Sequence, residues 1–124
     1  MILVIGGAYQ GKLDYVLENH KGKSVFQCSV ENPELDLSAD IINALHLMAL
    51  AQIRCGRDTL GYLREILPKL KDKIIISDDI TCGVVPIDSE PRQWRETMGR
   101  GLALLSNNAD EVIRVFCGIG SRIK

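Results

Sequence analysis

The sequence lacks a charge excess and a long apolar segment, and each absence removes a class of function. Its 15 basic and 16 acidic residues leave a formal net charge of -1, which argues against a general affinity for nucleic acid or for an anionic membrane. No apolar stretch approaches the ~20 residues that span a bilayer. The opening MILVIGG is too short for a secretory signal and has no basic leader. We therefore expect a cytoplasmic protein that recognises its partners through a local site.

A paired cysteine motif and internal repeats are also missing. The four cysteines form no CxxC pair, which favours reduced thiols over a metal site. They are Cys28, Cys55, Cys82 and Cys117. No low-complexity tract or linker divides the chain. Its 124 residues, 46% of them hydrophobic, are enough for one ordinary core, so we predict a single domain over residues 1–124.

Segments typical of strands alternate with segments typical of helices. Strands are predicted at Met1 to Ile5, SVFQC, DKIIIS, DEVIRVFCG and IGSRIK. Helical spacing of apolar residues predicts helices from Lys12, through IINALHLMALAQIRCG, from about Asp58 to Leu70, where Pro68 ends or kinks the helix early, and from about Glu90 to Asn107. This alternation predicts an α/β fold with a mainly parallel sheet of about five strands, with Met1 to Ile5 in its interior.

A glycine-rich motif joins the first predicted strand to the first predicted helix. The segment GGAYQGK fits the pattern G-x-x-x-x-G-K of a phosphate-binding loop (P-loop). Its backbone N–H groups can surround a phosphate, the helix N-terminus adds a favourable dipole, and the Lys12 ammonium can reach the terminal phosphates. We therefore predict that ATP or GTP binds at Gly6, Gly7, Ala8, Tyr9, Gln10, Gly11, Lys12 and Leu13.

Position 13 departs from the usual motif. A Ser or Thr hydroxyl normally follows the lysine and helps to hold Mg²⁺, whereas Leu13 offers no oxygen. Binding does not depend on that hydroxyl, but phosphoryl transfer does. We therefore expect nucleotide binding with a weakened Mg²⁺ site and poor turnover. The alternative is a glycine-rich turn that keeps its shape without a ligand.

Three segments resemble one enzyme family in the same order along the chain: MILVIGGAYQGK, SDDITCGVVPIDSEPRQWRETMGR and ADEVIRVFCGIGSRIK. The chain resembles the bifunctional adenosylcobinamide kinase/adenosylcobinamide-phosphate guanylyltransferase family of cobalamin biosynthesis. The G-x-VP segment from Gly83 to Pro86, the pair Gly99 and Arg100, and the GIG-x-x-IK terminus are more specific than the loop alone.

The resemblance implies a P-loop NTPase-like three-layer sandwich that assembles as a homotrimer. It also implies a kinase that phosphorylates adenosylcobinamide with a nucleoside triphosphate and then transfers GMP through a guanylylated histidine. The segment that carries this histidine in the family is shortened here, and QCSVENPELDLSAD contains no histidine. We therefore expect a divergent kinase whose guanylyltransferase activity is lost. The alternative is a non-catalytic sensor or subunit that binds a nucleotide or a corrinoid.

Candidate catalytic residues beyond the loop are few. Asp78 and Asp79 follow a predicted strand where a Walker-B-like carboxylate would approach Mg²⁺, and the resemblance favours Asp79, together with Lys12, as the catalytic pair and Asp79 as the metal ligand. The alternative is a pair of solvated turn residues. His46 could replace the missing nucleophile or be a packed helix residue. Arginines on the last helix could contact a phosphate or a neighbouring subunit, or form a solvated charged face with Trp94 packed beneath it. They are Arg92, Arg95 and Arg100, of which the resemblance singles out Arg100 alone.

Overall fold

The computed structural model describes residues 1–81 and 86–124. Within these ranges the strands are β1 (Ile2–Gly6), β2 (Val25–Gln27), β3 (Ile41–Asn43), β4 (Ile74–Asp78), β5 (Glu111–Phe116) and β6 (Ile119–Arg122). The helices are α1 (Lys12–Asn19), α2 (Leu45–Arg54), α3 (Thr59–Ile66) and α4 (Ser89–Asn108). Most of the predicted G-x-VP segment, namely Gly83, Val84 and Val85, lies outside the described residues together with Cys82.

The six strands form one mainly parallel sheet in the order β2-β3-β4-β1-β5-β6. Strand β1 pairs in parallel with β4 on one side and with β5 on the other, which confirms its predicted interior position. Only β6 runs antiparallel to its neighbour among the described strands. The parallel pairs place the carboxyl ends of β1, β3, β4 and β5 at one edge, where α/β proteins bind ligands.

Helices cover both faces of this sheet, and the result is the predicted α/β three-layer arrangement. Helix α1 packs on one face, where Val16 joins a buried cluster with Val4 and Ile76. On the other face the strands pack against the remaining helices through a larger cluster that includes Leu3, Met48, Leu63, Ile75 and Leu105. Because both faces of the sheet are covered, the strands β1, β3 and β4 have continuous rather than alternating apolar runs.

The prediction of the second helix was wrong at its N-terminal end. Ile41–Asn43 forms β3, in parallel register with β2 and β4, and Ala44 turns the chain with φ 62 before α2 starts at Leu45. Ile41 and Ile42 are both fully buried, and a three-residue strand buried on both faces looks like a helix start in sequence. This strand raises the count from about five to six.

The other helices follow the sequence prediction closely. Asp58 caps α3 by accepting a hydrogen bond from the backbone N–H of Gly61 at 3.1 Å. The helix ends at Ile66, and a 3₁₀ turn that contains Pro68 follows over Leu67–Leu70, as expected for a proline in this place. No helix in the described part of the chain has both the length and the apolar character needed to cross a bilayer.

Candidate phosphate-binding site

The glycine motif forms the loop between β1 and α1 and has a conformation that needs glycine. Gly11 precedes the helix with φ 82, in the left-handed region that favours glycine, and Tyr9 also has a positive φ of 59. A Cβ on Gly6 would overlap the carbonyl oxygen of Val115 on the neighbouring strand. The loop can therefore run close to β5 only because residue 6 has no side chain.

Hydrogen bonds hold the loop from two sides. The turn between β5 and β6 donates from the Gly118 N–H to the Gln10 carbonyl at 2.8 Å and from the Cys117 N–H to the Gln10 side-chain oxygen at 2.7 Å. On the other side, the Asp79 N–H donates to the Gly6 carbonyl at 2.8 Å. The loop is thus fixed in place before any ligand arrives, which reduces the entropy lost on binding.

A cavity of about 360 Å³ opens above the loop at the carboxyl edge of the sheet. Loop residues 8–12 form one side, and Asn43, His46 and Asp78 are on the other. This volume is within the usual range for small-molecule sites. The N-terminus of α1 faces the same space, so backbone N–H groups and a helix dipole favour an anion there.

The side chain of Lys12 is buried in this cavity, with only 7% of the residue exposed. Its ammonium nitrogen lies 2.6 Å from Oδ1 of Asp78 and donates to the carbonyl oxygen of Gly7 at 2.6 Å. A buried ammonium is costly unless a carboxylate balances its charge. The Asp78 carboxylate supplies this balancing charge at the base of the cavity.

His46 contacts the other side of Asp78. Its Nδ1 accepts a hydrogen bond from the Asp78 N–H at 3.1 Å, and its Nε2 lies 3.3 Å from Oδ2 of the same residue. Burial is the main cause that lowers the pKa of His46, Lys12 lowers it further, and Asp78 opposes both. The hydrogen-bond pattern assigns a neutral ring with its proton on Nε2.

Trp94 packs against the ring of His46 from α4. The two rings stack with centroids 6.1 Å apart and an interplanar angle of 28°, and the indole N–H donates to the His46 carbonyl at 2.7 Å. His46 is thus a packed residue, as one of the two alternatives expected. Its contact with a carboxylate was missed, since nothing in the sequence places residue 46 beside residue 78.

The two aspartates occupy different places. Asp78 faces the cavity that contains Lys12, whereas Asp79 lines a separate cavity of about 220 Å³ with Gly6, Gln10 and Arg114. The Asp79 Oδ1 accepts a hydrogen bond from the Thr81 N–H at 3.1 Å. Asp78 shares a strand face with Ile76, which packs in the cluster beneath α1, so the alternation along β4 is the signal that could have selected it.

The described side chains do not fit a protein-held Mg²⁺ in this cavity. Leu13 packs against the cluster beneath α1 and supplies no oxygen. Both oxygens of Asp78 already face cationic or hydrogen-bonding partners, and Asp79 lies in the other cavity. No group of three or more His, Cys, Asp or Glu suited to a metal occurs in residues 1–81 and 86–124. The described part of the chain therefore offers no Mg²⁺ site in this cavity.

The arginines of α4 lie away from this cavity. Arg92 is exposed, Arg95 is partly buried, and Arg100 pairs with Glu96 at 2.8 Å on the surface. None of the three is among the described residues that line the cavity. They leave the candidate phosphate site to Lys12 and the backbone of the loop.

The sequence was compared with models of known protein families and with curated proteins, and no match was found in either comparison.

Proposed function

We propose that this chain is a nucleotide- or phosphate-binding protein whose glycine loop holds a di- or triphosphate. The observation that carries the proposal is the buried Lys12 ammonium at the start of α1, in a cavity bounded by the loop backbone. Oriented N–H groups, a helix N-terminus and a positive charge converge there, and each favours a phosphate. The function does not depend on residue 13.

The resemblance to the cobinamide kinase and guanylyltransferase family leads to a more specific proposal, namely a kinase reaction. The γ-phosphoryl group moves from ATP or GTP to the hydroxyl of adenosylcobinamide, the nucleoside diphosphate leaves and the hydroxyl proton is released. The protein then acts in the cytoplasm with a corrinoid as its second ligand. Lys12 would stabilise the transferred group. Guanylyltransfer is not part of the proposal, because both ring nitrogens of His46 face Asp78.

The second candidate is a non-catalytic sensor or subunit that binds the same ligands. It is favoured by Leu13, which removes the hydroxyl that Mg²⁺ uses in other phosphate loops, and by the paired state of Asp78. Binding is common to both candidates, while transfer to adenosylcobinamide separates them.

Calorimetric titration with ATP, GTP and inorganic phosphate tests the common part of the proposal. We expect saturable binding of at least one of them, competition among them, and loss of binding in Lys12→Ala. An assay for phosphorylated adenosylcobinamide with each triphosphate then tests transfer, which we expect to be slow. If none of the three anions binds, the proposed function is wrong and the loop is only a structural turn.

A further inference from the structure

Lys12 and Asp78 together supply no net positive charge for a phosphate anion in the cavity. Lys12 supplies one positive charge and Asp78 one negative charge at 2.6 Å, so the pair is neutral. Asp14 also lines the cavity and is exposed, which adds a second carboxylate. A nucleoside diphosphate or triphosphate carries several negative charges, and Mg²⁺ normally offsets part of them. Because residues 1–81 and 86–124 offer no place for a protein-held Mg²⁺, a further positive charge would strengthen binding.

His46 is the group beside this pair that can change its charge near neutral pH. It lines the same cavity, and its Nε2 lies 3.3 Å from Oδ2 of Asp78. The charged groups that act on it are Lys12 from α1 and Asp78 from β4. Trp94 packs on it from α4 and has no charge. A positive charge on His46 would therefore attract an anion in the cavity directly.

We propose that the cavity takes up a phosphate anion together with one proton on His46, and that this uptake does not require Mg²⁺. The inference rests on the phosphate-binding function proposed above. The Lys12 ammonium turns from Asp78 to the anion, and Asp78 then balances the imidazolium of His46. One proton from solvent bonds to Nδ1, which can then no longer accept the hydrogen bond from the Asp78 N–H, so the His46 ring turns away from that N–H. The contact between Lys12 and Asp78 is exchanged for one between Lys12 and the anion, and no covalent bond other than the new N–H forms or breaks.

The direction of the pH dependence follows from the two states of the site. In the ligand-free protein, burial and Lys12 hold the pKa of His46 below its ordinary value. A bound anion favours the imidazolium and raises that pKa. Affinity therefore rises as the pH falls between the bound-state and the free-state pKa, and His46 adds no pH dependence outside that window.

Sulfate and ADP, titrated by calorimetry in EDTA from pH 5.5 to 8, test the inference. Sulfate stays fully ionised over this range, so its pH dependence belongs to the protein. We expect the affinity of the native protein to rise up to about tenfold per pH unit within the window, as uptake of one proton requires. His46→Gln should remove this dependence. His20→Gln, which changes a histidine at the end of α1, should behave like the native protein.

Proton NMR of the native protein provides a second measurement that does not depend on a variant. The sequence has two histidines, and addition of sulfate should raise the pKa of His46. If sulfate and ADP bind with the same pH dependence in His46→Gln, or only when Mg²⁺ is added, this inference is wrong while phosphate binding stands. If neither anion binds at any pH, phosphate binding itself is wrong.

Discussion

The ammonium nitrogen of Lys12 lies 2.6 Å from the carboxylate Oδ1 of Asp78, so the lysine of the glycine loop already has an anionic partner without a ligand. The pairing of β1 with β4 sets this distance, because Gly6 stands opposite Asp78 in the register. A phosphate must therefore compete with a carboxylate for Lys12. Hydrogen bonds hold the loop in place without a ligand, but Asp78 already balances part of the charge of Lys12.

Replacing Lys12 with Ala should weaken binding of ATP and GTP by at least about tenfold, since an ion pair with a phosphate in a partly buried site is worth more than ~1.4 kcal/mol. It should also lower the free energy of unfolding by about 1–3 kcal/mol, because Asp78 loses its counter-ion in a site where its side chain is only 23% exposed. Calorimetry and urea unfolding measure the two effects.

Two controls separate these effects. Replacing the exposed Lys21 with Ala should alter neither nucleotide affinity nor the free energy of unfolding, as expected for a solvated surface lysine. In the double variant Lys12→Ala with Asp78→Asn, no unpaired carboxylate remains, so stability should partly return while binding stays weak. Unchanged nucleotide affinity in Lys12→Ala would contradict the placement of the phosphate at this loop.

Replacing Gly6 with Ala should lower the free energy of unfolding by about 1–3 kcal/mol, because the added Cβ overlaps the backbone oxygen of Val115 and a strand must shift. Gly7→Ala is the matched control in the same loop. A Cβ there meets only Cγ of Gln10 at 3.6 Å, an ordinary contact. Urea unfolding of both variants is the measurement, and equal stability of the two would show that β1 and β5 separate easily at this point.

The sequence predicted the first unit of the fold because its information is local. A buried strand, a glycine motif and a helix follow one another within β1, the loop and α1, and each has its own sequence signal. Strand β3 was missed for the opposite reason. Its identity depends on pairing with β2 and β4, and three buried residues are too few to show a period.

The candidate site was only half predictable for the same reason. The loop and Lys12 are contiguous in sequence, but the contact of Lys12 with Asp78 and the contact of Asp78 with His46 depend on the strand order β3-β4-β1. A sequence gives no direct sign of which strands are neighbours. Of two consecutive aspartates, the resemblance favoured Asp79, whereas the face on which β4 packs places Asp78 beside the lysine.

We expect the protein to form an oligomer, and the resemblance suggests a trimer. Phe116 and Ile119 stand opposite each other at the edge of the sheet and are 66% and 72% exposed, so this apolar pair is a candidate contact between copies. We expect light scattering to detect an oligomer at micromolar concentration and Phe116→Lys to shift it toward monomer. Val25→Lys, in β2 at the opposite edge of the sheet, should have no such effect. A native protein that is only monomeric would contradict the prediction.

Replacing Leu13 with Ser should raise phosphoryl transfer to adenosylcobinamide if the chain is a kinase with a weakened Mg²⁺ site. The new hydroxyl would stand where phosphate loops hold the ion between two phosphates, and Mg²⁺ requires such oxygen ligands in a fixed octahedral shell. Affinity for ATP in the absence of Mg²⁺ should change little, because the loop N–H groups and Lys12 remain. Loss of a partly buried leucine should lower stability by about 1–3 kcal/mol.

The matched control is Leu13→Ala, which makes a similar cavity but adds no oxygen. A gain in transfer confined to Leu13→Ser and dependent on Mg²⁺ would support a dormant kinase. Equal activity in both variants and in the native protein would mean that residue 13 does not limit transfer. Absence of transfer in all three, with ATP still bound, would favour the sensor or subunit, because the missing hydroxyl would then be only one of several losses from the catalytic site.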